Sequence, residues 1–146
     1  MRDVRLGKRF WTDSLSAAVL AGVLGGIPST AWALVTRGDA WEATLAVGAI
    51  VLGSDAPFSK LIAAAIVFHG VMSFFWAAVL CAYLPAGRRV LWGLIAGALI
   101  AVLDILLIGQ AIPAIRALAF VPQLADHLMF GVLVGAVIDH RRKRPT

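Results

Sequence analysis

Residues 124–142 read LADHLMFGVLVGAVIDHRR, and the reading of this stretch decides the fold. An uncharged apolar run follows Asp126 and His127 and is closed by Asp139, His140, Arg141 and Arg142. Apolar length at helical spacing, ended by a cluster of cations, marks a short membrane span with its basic end in the cytoplasm. Two ionisable side chains sit within the opposite end of that span. Such groups are costly in a bilayer and mark either a packing network or a site.

The rest of the chain agrees with a membrane assignment. Of its 146 residues 61% are hydrophobic and 14% charged. A soluble domain is nearer half apolar and a quarter charged. The sequence predicts an all-α, polytopic four-helix bundle forming a single transmembrane domain, with spans over about 14–35, 58–84, 90–109 and 124–138. Two structured links join them at the end remote from the basic residues. Residues 41–52 of the first link form a helix too short to cross, interfacial or re-entrant. The second link, 110–123, is broken by Pro113 and Pro122 and is apolar enough to pack on the bundle. The residues after the fourth span read as a loose basic tail.

The net charge of +5 comes from cations at span ends. Arg2, Arg5, Lys8, Arg9, Arg88, Arg89, Arg141, Arg142, Lys143 and Arg144 all flank apolar runs, whereas Arg37, Lys60 and Arg116 fall in or beside the alternate links. The positive-inside rule then places both termini in the cytoplasm of a bacterium, with the chain in its inner membrane. Cations that straddle spans without an aromatic platform exclude a nucleic-acid partner. The lone Cys81 excludes an internal disulfide and any CxxC motif. The expected surroundings are the lipid bilayer and a homo-oligomer or larger membrane complex, since four short helices bury few groups alone.

Counting up from the basic end at ~1.5 Å per residue puts His69 at about 22 Å, Asp104 at about 21 Å and His127 at about 18 Å, with Asp126 slightly higher. Ser29 and Thr30 fall near the same level, beside Pro28, whose missing N–H is expected to kink the first span and free a carbonyl one turn earlier. Helical phase puts Ser29 on a face with Gly22 and Gly26, Asp104 with Gly93 and Gly97, and His127 with Gly131 and Gly135. Small faces mark helix contacts, so these polar groups are expected to point at neighbouring helices and to converge in one cluster in the outer leaflet. Arg37, Asp39, Glu42 and Arg116 would lie over it as an entrance or lid, with Arg116 paired to Asp126 or Glu42.

Several chemistries use such a set. A polar network fixes helix register without further function. Carboxylate–histidine chains carry protons or ions and bind small ligands. His69, His127 and Asp104 suit a zinc or iron ion, and two facing histidines suit a haem in a membrane redox subunit, but no HxxxH or ExxH spacing specifies either. An enzyme acting on an apolar substrate would need a nucleophile motif such as GxSxG, and the chain has none.

Four segments, GGIPST (25–30), RGDAWEATLAVG (37–48), LDILLIG (103–109) and IRALAFVPQLADHLMFG (115–131), together carry a resemblance. They resemble a group of small bacterial integral membrane proteins with GxPST, a GRDPxEAT-like link, an LDL…G span and a PQxADHxxFG end. Ala40 and Trp41 depart from that pattern where a proline-containing stretch is expected. The resemblance implies a four-span membrane protein and assigns no activity.

Overall fold

The computed structural model describes residues 7–36 and 38–143. Among them every regular element is a helix: α1 Lys8–Leu24, α2 Ile27–Val35, α3 Glu42–Leu52, α4 Phe58–Tyr83, α5 Arg89–Ala101, α6 Pro113–Arg116 and α7 Phe120–Lys143. After α5 the chain continues as a π-helical segment, Val102–Ile108, and a 3-10 turn, Gly109–Ala111. Four stretches are long and apolar enough to cross a bilayer: Lys8–Val35, Phe58–Tyr83, Arg89–Ala111 and Phe120–Lys143. Large apolar side chains such as Val23, Leu34, Val35, Ile66, Leu99 and Leu107 stand exposed along them. Water would not tolerate so continuous an apolar surface, and lipid covers it. The chain is an all-α integral membrane protein of four spans.

The spans pack as a row. Helices α1 and α7 form the centre, α4 lies chiefly on α1, and the third span lies chiefly on α7. Near the basic end the core is built from small residues of α1 (Ala17, Ala18, Ala21) against Ala77, Leu80 and Cys81 of α4 and Val134 and Ile138 of α7. Between α5 and α7 the contact is backbone on backbone. A Cβ added to Gly93 would run into the Gly131 carbonyl, and one on Gly97 into the His127 carbonyl. The reverse holds for Gly131 against Gly93 and for Gly135 against Arg89. With no solvent-driven force between helices in lipid, such close approach is what supplies the van der Waals energy. The short helix α3 does not lie free at the interface. It packs along α4, with Gly48 against the Leu61 backbone and Trp41 edge-on to Phe58.

Two elements differ from the sequence reading. The first span breaks at Gly25–Gly26, before Pro28, which takes the second position of α2. Proline fits a first turn, where its missing N–H would be unpaired anyway. The same logic lets α7 begin at Phe120 and hold Pro122 in its first turn. The basic tail is not loose as far as it is described, because α7 runs on to Lys143. Arg141 pairs with the buried Asp13 at 2.6 Å, Lys143 and Arg89 both reach Asp139, and Arg142 donates to the Cys81 carbonyl at 2.7 Å.

Candidate functional site

The break in the first span creates the site. The last carbonyls of α1 lack the donors that a continuous helix would supply. Gly25 N–H serves Ala21, and the carbonyl of Gly22 accepts instead from His69 Nε2–H of α4 at 3.0 Å. The hydroxyls of Ser29 and Thr30 donate to the Gly26 carbonyl at 3.1 and 3.0 Å. At the start of α2 the Ser29 N–H donates to Asp126 Oδ1 of α7 at 2.9 Å. A carboxylate at a helix N-terminus answers both the free N–H and the positive end of the helix dipole. His69 and Asp126 line one groove.

His127 looks elsewhere. Successive residues of a helix project about 100° apart, so Asp126 and His127 serve different neighbours. His127 Nδ1–H donates to the Gln123 carbonyl at 2.8 Å, and Nε2 meets Asp104 Oδ2 at 3.0 Å. Asp104 sits in the π-helical segment, whose wider turn presents it to α7. Because Nδ1 already carries a proton, the contact between Nε2 and the carboxylate must itself hold one proton. The pair is then neutral overall, either imidazolium with carboxylate or imidazole with carboxylic acid. This explains how a carboxyl group that is 53% exposed survives on the outside of a membrane bundle.

The expected single cluster is therefore two. His69, Asp126, Ser29 and Thr30 gather at the break between α1 and α2, while Asp104 and His127 pair on the other side of α7. His69, His127 and Asp104 do not assemble as a metal ligand set, and among the described residues no group of three or more His, Cys, Asp or Glu is arranged to hold a metal ion. The two histidines bind different partners, His69 the Gly22 carbonyl and His127 the Asp104 carboxyl group.

Two cavities adjoin the first cluster. A groove of about 490 Å³ runs between α2, α3 and α4, with Val23, Ile27, Leu34, Val47 and Ile66 along it and His69 and Asp126 also lining it. A smaller cavity of about 220 Å³ lies toward the links, lined by Trp32, Thr36, Asp39, Glu42, Pro122 and Gln123 among others. Ser29 and Ala43 border both. Of the expected lid residues, Asp39 and Glu42 line the smaller cavity, and Asp39 also accepts the Trp41 N–H at 2.9 Å. Arg116 ends α6 and forms no ion pair with Asp126 or Glu42. Arg37 lies outside the described residues.

The role of the break was only half legible in the sequence. Pro28 signalled it, but the capture of the Gly22 carbonyl by His69 needs the packing of α4 on α1, which no spacing reveals. Comparison with family models, with curated proteins and with solved structures finds no match to this chain.

Proposed function

We propose that the protein resides in a bacterial inner membrane with both termini in the cytoplasm and binds a proton or small cationic ligand at Asp126 and His69 in the outer half of the bilayer. The observation that supports this most is the environment of Asp126. It is a carboxylate within a membrane span, and among the described residues no lysine or arginine pairs with it. An intramembrane carboxylate needs a positive partner, a proton or a water-filled cavity. The asymmetry between the two clusters favours this assignment over a packing role alone. Asp104 and His127 complete each other, whereas Asp126 receives a backbone N–H and faces a groove. The acidic cavity beneath the links would attract cations from the outer aqueous phase toward Ser29.

Infrared difference spectroscopy of the reconstituted protein tests the reading. Changing the pH is expected to produce a carboxylic-acid stretching band that is absent in Asp126→Asn. A difference spectrum that is identical in Asp126→Asn would show that Asp126 exchanges nothing and would overturn it.

A further inference from the structure

The geometry points to a lipophilic amine as the ligand of the groove: an apolar chain lying between α2, α3 and α4, with its ammonium head between Asp126 and His69. This deepens the function proposed above and rests on it.

The polar side chains around the break have spent their protons. His69 Nε2–H goes to the Gly22 carbonyl, so whenever the ring is neutral its Nδ1 is an acceptor. Thr30 donates its hydroxyl to the Gly26 carbonyl, and Ser29 donates to the same carbonyl or to Asp126. Asp126 takes one N–H on Oδ1 and offers acceptors only. The head of the groove therefore presents acceptors and a negative charge. An ammonium has three donors, one positive charge and no acceptor, and is the complement of that set. A carboxylate head would be repelled. A hydroxyl head would satisfy fewer acceptors and leave the charge unanswered.

The body of the groove selects an apolar chain. The groove measures about 490 Å³ and its walls are mainly apolar. Small residues open it: Gly22, Gly26, Ala31, Ala43 and Ala65 border the space, and a Cβ at Gly26 would meet nothing within 4 Å. Val23, Leu34 and Ile66 along its length are exposed on the membrane-facing surface, so a chain can enter sideways from the bilayer.

The test uses the full chain in bilayers of zwitterionic lipid and a dodecylamine with a diazirine at the far end of its chain. Illumination is expected to label residues of α2, α3 or α4, and unlabelled dodecylamine, but not dodecanol or dodecanoate, should compete. Asp126→Asn should weaken labelling by about tenfold or more, as loss of a charged hydrogen bond does. Gly26→Leu should block the groove and abolish labelling while the infrared band of Asp126 persists. Equal labelling of Asp126→Asn, or competition by dodecanol as strong as by dodecylamine, would overturn the amine. If the infrared band is present and the probe fails to label, the ligand class falls and the site at Asp126 stands. If the band is absent, the site itself falls.

Discussion

At the residue scale the chain contains two solutions to the same problem, a carboxyl group inside a membrane. Asp104 is neutralised within the molecule by His127, and Asp126 is not neutralised by any lysine or arginine among the described residues. The two should respond differently to substitution. His127→Ala strands Asp104 at the lipid surface and is expected to destabilise by about 2–3 kcal/mol, the cost of a charge facing the membrane interior. Asp104→Asn keeps a hydrogen-bonding partner for the imidazole and should cost less, about 1 kcal/mol. Thermal unfolding in detergent checks the order, and equal losses would contradict the neutral-pair account. The sequence marks all of these residues, because charge inside an apolar run is visible without a structure. It does not reveal that Asp126 and His127 part company, since helix phase is relative and the order of helices in the row is not written in any one of them.

At the element scale the first and third spans depart from regular helix where the site lies, one by a break and one by a π-helical segment. Unwound or widened turns at membrane depth persist only where side chains or neighbouring helices satisfy the backbone. Here His69 serves the Gly22 carbonyl, and Gly109 N–H reaches the Asp104 carbonyl. The glycines divide along the same lines. Gly97 meets α7 backbone to backbone, so Gly97→Val should push the third span away and cost about 1–3 kcal/mol, as overpacking does. Gly26 faces open space with an ordinary negative φ of -85°, so Gly26→Ala should leave stability within about 0.5 kcal/mol of the parent. Chemical or thermal denaturation of both variants checks the contrast, and a loss at Gly26 matching that at Gly97 would contradict it. Glycine spacing was legible in the sequence on both elements. Which glycines are contacts and which are cavity was not, because that depends on what the partner helix brings to the same level. The π-helical segment was also hidden, and it shifts the face on which Asp104 emerges after Ala101.

At the scale of the whole molecule, the cations gather at one end and the two structured links at the other. Hydropathy and charge sufficed to read this, because both are sums over many residues and tolerate errors in any one helix boundary. The basic end is also where the core is densest and where Asp13 and Asp139 answer Arg141, Arg89 and Lys143. The break, the groove and the acidic cavity lie toward the other end. A tight end and an open end suit a protein whose ligand enters from the end that carries the links, which is the outer side in the proposed orientation. In a Cys81→Ser background, Ser54→Cys should react with a membrane-impermeant thiol reagent added outside intact cells, and Gly87→Cys should not. Reaction at position 87 alone would invert the orientation and with it the proposed entry side.

The Asp126 carboxylate rests on the backbone of the broken helix, and among the described residues no lysine or arginine answers it. Solid-state NMR of the protein in bilayers, with ¹³C at the Asp126 carboxyl and ¹⁵N at the Ser29 amide, measures that contact. The 2.9 Å hydrogen bond predicts strong dephasing. No dephasing between the two labels in well-folded protein would contradict it.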